Sequence, residues 1–235
     1  MTDKIKVLYI DDEDNNLNSF KASLRKDFMV ITAIDAFEGL KIAETEELHV
    51  VIADQRMPGL DGVEFFEKLM KITETRIPKC YEIVPTILED KRGRFVKTLH
   101  QDIYKSHQLI INFAEEYYSV SKKNVLRGLH FQVPPQDCTK IVYCLEGSVM
   151  DVVVDLRKGS PTYGEFELFN LSSENGKIIY IPSGLAHGFY VTSDMAEFQY
   201  KCTDYYAPGD EYSLLWNDPT VGIEWPLGPD MPRLS

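Results

Sequence analysis

Two rhythms of apolar residues divide the chain. Short apolar runs at 7–10, 30–33 and 50–53 alternate with stretches at 16–24, 36–43 and 62–72, whose apolar positions recur at helical spacing. A run of about four apolar residues between polar flanks reads as a strand buried on both faces, and the stretches between as amphipathic helices. Asp35 stands just before the second helix, where its carboxylate can cap the first turn. Such alternation predicts a parallel, doubly wound (βα)3 unit with functional groups at the carboxyl ends of its strands.

From residue 77 the rhythm shortens. Runs at 94–97, 108–113, 140–144, 148–155, 164–171, 177–181 and 197–202 are rich in Val, Ile, Phe and Tyr, and Gly, Pro, Asn and Asp separate them. Many short strands at regular spacing predict an all-β sandwich or barrel. Glu146-Gly147 and Asn175-Gly176 carry hairpin-turn chemistry. In the run at 197–202, alternation puts Phe198, Tyr200 and Cys202 on one face. The rhythm changes between Thr73 and Lys79 without a Gly/Ser linker, so two abutting domains are expected, 1–75 and 76–235.

Composition narrows the partners. The 235 residues are 44% hydrophobic, enough for real cores, and the net charge of −12 argues against a general nucleic-acid or membrane-surface role. Cys80, Cys138, Cys144 and Cys202 show no C-x-x-C spacing and no signal-like segment precedes them, so reduced thiols in a cytoplasmic protein are expected. No apolar run approaches the roughly eighteen residues of a membrane span.

Candidate chemistry lies in both halves. Asp11 and Asp12 follow the first strand and Asp54 ends the third; clustered carboxylates repel unless a cation joins them, and an oxygen-rich set suits Mg²⁺. In the second half Arg127-Gly-Leu-His130 places a cation, a permissive glycine and a titratable ring within four residues. A lone histidine entering a buried strand is more often satisfied by a local hydrogen bond than recruited for catalysis.

Two resemblances sharpen this. Tyr9-Ile-Asp-Asp-Glu13 and Ala53-Asp-Gln-Arg-Met-Pro-Gly-Leu-Asp-Gly62 resemble the receiver domain of two-component response regulators, a flavodoxin-like fold. The resemblance implies Asp54 as phospho-acceptor and Asp11 and Asp12 as partners in holding Mg²⁺. It stops after three strand–helix units. The hydroxyl and lysine that answer a phosphoryl group in that family have no counterpart, so a partial receiver without a working phospho-switch is expected.

The second half resembles the dTDP-4-dehydrorhamnose 3,5-epimerase family. The segments that carry the likeness, in order, are 90–93, 125–132, 151–162, 181–189, 200–208 and 216–226. The resemblance implies a cupin-like jelly-roll β-sandwich, needing no cofactor and acting on a nucleotide sugar. It implies a homodimer that exchanges N-terminal strands, here near 81–85. By resemblance His130 is the base and Tyr200 the acid, with Lys140 near the 4-keto oxygen. Arg92 and Arg127 would hold the diphosphate, Tyr205 would stack on the base, and Gln132, His187 and Glu211 would contact substrate. A metal is not expected in this half, because Phe131-Gln132 follows His130 in place of a His-x-His pair.

The chain also departs from that pattern. Glu115-Glu116-Tyr117 replaces a Gln-x-Asn and Lys97 replaces a Glu, which leaves open the sugar, the base and whether C3, C5 or both invert. The family's aspartate that pairs with the catalytic histidine, beyond a Leu-Ser, has no counterpart up to Ser235. A slower base is therefore expected, unless another carboxylate such as Asp151 or Asp218 orients His130. The competing reading is a two-component-type signalling protein whose jelly roll binds a sugar nucleotide without turning it over. The intact set of His130, Tyr200 and Lys140 favours the epimerase.

Overall fold

The computed structural model describes residues 4–228 and 231–234. The chain divides into two compact units, Met1–Met70 and Lys71–Ser235.

The first unit runs β1 (Lys6–Ile10), α1 (Asp14–Leu24), β2 (Met29–Ala33), α2 (Ala36–Thr45), β3 (Val50–Ala53) and α3 (Gly62–Lys68). Its three strands are parallel in the order β2-β1-β3. Leu8, Ile10, Ala33, Ala36 and Phe65 form the core between sheet and helices. Asp35 caps α2, accepting the Glu38 N–H at 2.8 Å. The helix expected over 62–72 stops at Lys68. Lys71–Glu74, with β-branched Ile72 and Thr73, is instead a strand of the second unit, where a ladder partner is available.

The second unit contains β4 (Lys71–Glu74), β5 (Tyr81–Val84), β6 (Ile87–Asp90), β7 (Gly93–Val96), α4 (Gln101–Ser106), β8 (Glu115–Lys122), β9 (Val125–Gln132) and β10 (Lys140–Glu146). It continues through β11 (Ser148–Asp155), β12 (Phe166–Ser172), β13 (Ile178–Ile181), β14 (Leu185–Val191), β15 (Met195–Cys202), β16 (Glu211–Ser213) and β17 (Arg233–Leu234). One sheet has the order β4-β5-β13-β10-β15-β8 and the other β12-β11-β14-β9-β16, with β17 also on β9. They pack as a jelly-roll sandwich, and β6–β7 form a separate ribbon.

Alternation on β11 explains the core. Val149 and Val153 point between the sheets, where they meet Val142, Ile179, Ile181, Phe189 and Phe198. Met150, Val152 and Val154 face the other way and are covered by Leu214, Val221, Ile223 and Trp225. Burial on both faces is why this strand reads as a valine run rather than an alternating one.

Several expectations need correction. Glu146-Gly147 and Asn175-Gly176 do not close hairpins, because β10 and β11, like β12 and β13, lie in different sheets. Both glycines do take positive φ, 77° and 59°, so the turn chemistry is right. Turn residues fix the bend but not which sheet the next strand joins. Residues 108–113 are a turn and coil after α4, not a strand. There the Ile110 N–H donates to the Tyr180 hydroxyl at 3.0 Å rather than to a ladder. The strands β8 and β14 fell outside the predicted runs, and β9 is a full strand rather than a turn entering one. Tyr81–Val84, expected to be exchanged with a second copy, is paired on both sides within its own chain, by β4 and β13. Among the described residues no helix is long and apolar enough to cross a membrane.

Candidate active site

The site starts from a bulge where β9 meets β14. His187 pairs with His130 and Phe189 with Arg127, so β9 spends one residue more than β14 over the same length. That extra residue turns Arg127 and His130, three apart, onto one inward face; without it they would point to opposite faces. The bulge depends on a glycine. Gly128 has φ +114°, and a Cβ there would lie 2.5 Å from the Gly188 Cα and 2.7 Å from the His187 carbonyl oxygen.

Around it the two sheets present polar groups to one another. His187 Nε2 lies 2.7 Å from Asp151 Oδ2, and both side chains are buried. Arg127 Nε donates to Ser121 Oγ at 2.9 Å. Tyr200 packs against the core next to Phe198. Its ring stacks on Tyr117 at 4.9 Å and meets His187 edge-on at 6.2 Å. Burial pushes the Tyr200 phenol well above its ordinary pKa, and the charge of Asp151 adds to this. The phenol therefore stays protonated at rest.

His130 is the group most exposed to competing forces. Loss of solvation lowers its pKa; Glu211 pulls the other way, while Lys140, His187 and Arg127 push it down further. The balance leaves the imidazole neutral near pH 7, as a base must be. Its Nδ1 lies 3.1 Å from Ser213 Oγ and 3.9 Å from Glu211 Oε1. The carboxylate beside His130 is thus neither of those considered from sequence. Asp151 is engaged by His187, and Asp218 accepts the Thr220 and Val221 amides of its own turn.

The remaining expected residues separate into near and remote. Lys140 opens β10 opposite Cys202 and acts on His130 electrostatically. Gln132 is buried with its amide engaged: Nε2 donates to the Gln136 and Tyr205 carbonyls at 2.6 and 3.2 Å, and Oε1 accepts the Ala207 N–H at 2.8 Å. It braces the loop that displays the exposed Tyr205 ring rather than offering its amide to a ligand. Tyr206 donates its hydroxyl to Glu211 Oε2 at 3.0 Å. Arg92 sits at the turn of the β6–β7 ribbon, a two-stranded sheet of its own. Ser213, Ser121 and the pairing of Asp151 with His187 were missed from sequence. Only Tyr117 carried a signal, as a departure from the family pattern.

In the first unit Asp11 is buried and fully engaged. Tyr9 donates to it at 2.6 Å, as do the Glu13 amide and Asn16. Burial alone would raise its pKa, but these donors outweigh it and hold the carboxyl below the usual range. Asp54 follows β3 and accepts the Arg56 N–H at 3.2 Å. Among the described residues no group of three or more His, Cys, Asp or Glu is arranged to hold a metal. The Mg²⁺ site expected at Asp11, Asp12 and Asp54 is not shown; the Asp11 oxygens accept from Asn16, Tyr9 and the Glu13 amide.

Comparison with known proteins decides the family. The family described as dTDP-4-dehydrorhamnose 3,5-epimerase matches residues 74–235. The chain belongs to the dTDP-4-dehydrorhamnose 3,5-epimerase family. The dTDP-4-dehydrorhamnose 3,5-epimerase of Salmonella typhimurium is 45% identical over 170 residues, spanning 71% of this chain and 91% of that one. The dTDP-6-deoxy-D-glucose-3,5-epimerase of Legionella pneumophila, solved with dTDP-4-keto-L-rhamnose, has a TM-score of 0.67 at 45% identity, covering 71% of this chain and 88% of that one. A 3'-monoepimerase from Streptomyces bikiniensis, solved with dTDP-quinovose, has a TM-score of 0.64 at 32% identity, covering 68% and 81%.

The response regulator receiver family matches residues 7–92. Its last part, from Lys71, folds as strands of the epimerase unit rather than as a fourth receiver strand and helix. The chain is thus an epimerase-family domain preceded by a three-stranded receiver-like unit.

Because the bulge turns Arg127 and His130 inward, Gly128→Ala is expected to lower stability by about 1–3 kcal/mol through backbone strain and to abolish nucleotide binding. Gly188→Ala, whose Cβ would lie 2.6 Å from the Arg127 carbonyl oxygen, should reproduce this. Urea unfolding and calorimetric titration with dTDP measure both effects. Wild-type binding in either variant would show that the bulge does not shape the site.

Proposed function

We propose that the second unit is an isomerase that inverts C3, C5 or both of a dTDP-4-keto-6-deoxyhexose, in deoxysugar biosynthesis, by proton transfer through His130 and Tyr200. One observation supports this above the others: a neutral imidazole on one sheet and a protonated phenol on the other face into the same sandwich interior, with Lys140 beside them. A 4-keto group acidifies the hydrogens on its neighbouring carbons. His130 removes one, the Lys140 ammonium stabilises the enolate oxygen, and Tyr200 returns a proton from the opposite face. The route uses no cofactor.

Binding follows from the same placement. The guanidinium groups of Arg127 and Arg92 suit diphosphate oxygens, and the exposed Tyr205 suits stacking on the nucleotide base. His187, held by Asp151, offers a fixed polar edge to the sugar. Glu211 and Ser213 hold the His130 ring, a role for Glu211 different from direct substrate contact. The family likeness to both a 3,5-epimerase and a 3'-monoepimerase leaves the choice of carbon to experiment.

We also infer a homodimer in the cytoplasm. The four cysteines are free thiols, which fits a reducing compartment. Tyr118 and Val120 are 62% and 52% exposed on β8, the last strand of its sheet, an edge that invites a partner. In the first unit Asp54 stands in the phospho-acceptor position of a partial receiver. Sedimentation velocity at micromolar concentration should give a dimer, and a monomer would remove the association.

His130→Asn is expected to cut deuterium incorporation from D₂O by about 10²–10⁴-fold at the inverted carbons, the usual worth of a general base. Tyr200→Phe should keep exchange but yield little inverted product, because abstraction needs only the base. Exchange in His130→Asn at the wild-type rate would refute the assignment.

Glu211 should reveal itself in the pH profile. A base must be neutral, so kcat/KM falls as pH drops through the His130 pKa, which lies below its ordinary value. Glu211 raises that pKa, so Glu211→Gln should move the acid limb to lower pH by roughly one unit and lower the plateau. A rise in KM with an unmoved limb would mean that Glu211 serves the substrate instead.

A further inference from the structure

Two thiols lie against the site without a part in the chemistry above. Lys140 pairs with Cys202 at the start of β10. One step outward, Thr203 N–H donates to the Thr139 carbonyl at 3.0 Å and Thr139 N–H to Thr203 Oγ1 at 2.9 Å. Cys138 comes next, at the end of the loop that enters β10, a diagonal neighbour of Cys202 across the ladder, and the two thiols perturb each other's ionisation. Cys202 is buried with its sulfur 3.8 Å from the Tyr117 hydroxyl; Cys138 is partly exposed, 4.0 Å from Gln132 Nε2. Each cysteine is two residues from a proposed catalytic residue, Cys138 from Lys140 and Cys202 from Tyr200.

We propose that Cys138 and Cys202 are a modification site, a reversible disulfide pair oxidised by hydrogen peroxide that switches the nucleotide-sugar site off. The neighbourhood favours this chemistry. The neighbouring Cys138 thiol and, against burial, the Lys140 charge hold the Cys202 thiol below its ordinary range, and the thiolate is the reactive form. At Cys80 and Cys144 burial outweighs the neighbours that favour the thiolate and pushes both up.

The step balances. The Cys202 thiolate attacks one peroxide oxygen, the O–O bond breaks, and the hydroxide released takes a proton to become water. The Cys138 sulfur then attacks the sulfenic sulfur, the S–O bond breaks, and a second water leaves with the Cys138 proton. Two thiols and one peroxide become one disulfide and two waters, and a dithiol reductant reverses the change.

The bond must move the loop. Diagonal neighbours on an antiparallel ladder sit about 7–8 Å apart at Cα, whereas a disulfide spans about 4.4–6.8 Å. Closure therefore draws residues 133–138 toward β15. Gln132 holds both the Gln136 carbonyl in that loop and the Tyr205 carbonyl, so the base-stacking loop shifts with it. The switching effect rests on the nucleotide-sugar reading of the site, whereas the disulfide itself does not.

The test uses the full chain. Reduced protein is treated with hydrogen peroxide, quenched with an alkylating agent, digested and weighed, while dTDP affinity and turnover are followed in parallel. The expected result is a Cys138–Cys202 linked peptide lighter by two hydrogens, loss of two thiols, and a fall in turnover of about a hundredfold that dithiothreitol restores. Cys138→Ser should keep its basal activity, form no link and resist peroxide. Absence of the linked peptide, or equal inactivation of Cys138→Ser, overturns the proposal. A linked peptide with unchanged dTDP affinity and turnover overturns the switch. Reduced protein without turnover would refute the epimerase reading instead, and the peptide and dTDP affinity would still decide the switch.

Discussion

Backbone touches backbone where Gly128 crosses Gly188, and the rest of the site hangs from that contact. Only residues without a Cβ allow β9 to bulge there, since a methyl on either would fall within 2.6 Å of the other strand. The bulge turns Arg127 and His130 inward together while Leu129 stays in the outer apolar cluster. One extra residue thus converts part of a dry sandwich core into a polar cleft, without breaking the ladder on either side.

A polar cleft inside an apolar sandwich is costly unless its groups find partners. Here three pairs cross strands or sheets, His187 with Asp151, Arg127 with Ser121 and His130 with Ser213, while Asp151 Oδ1 is buried without a partner. The end of β11 is anchored in the same manner. Asp155 is fully buried, yet Arg157, Ser160 and Thr162 all donate to it and together outweigh the burial that would raise its pKa. Arg157 reaches on to the Pro78 carbonyl, tying the segment before β5 to the sandwich. These fixed dipoles let a neutral imidazole and a protonated phenol coexist in one sandwich interior, the condition that two-sided proton transfer needs.

The legible parts were those decided by local pattern. The three βα units, the Asp35 cap and the inward face shared by Phe198 and Tyr200 follow from periodicity, because burial of one face dictates them directly. Strand partners were not legible, since Glu146-Gly147 and Asn175-Gly176 say only that the chain turns. The site residues were named by resemblance, but their local roles needed the fold. Nothing in the sequence places Asp151 on His187 rather than His130, or Ser213 on His130 from a three-residue strand. The receiver motif, by contrast, was legible, and so was its early end. Its acidic residues are present, Ile72 and Thr73 join the epimerase sheet, and Asn16 donates to both Asp11 oxygens. Ser235, the last residue considered from sequence, lies outside the described residues.

The central claim is that His130 and Tyr200 address one sugar ring from its two faces. A crystal structure with a dTDP-linked 6-deoxyhexose tests it most directly. The hexose is expected between the two sheets, with His130 Nε2 and the Tyr200 hydroxyl on opposite sides of the ring and the C4 oxygen toward Lys140. A sugar bound with both groups on the same face, or seated outside the cleft, would contradict it.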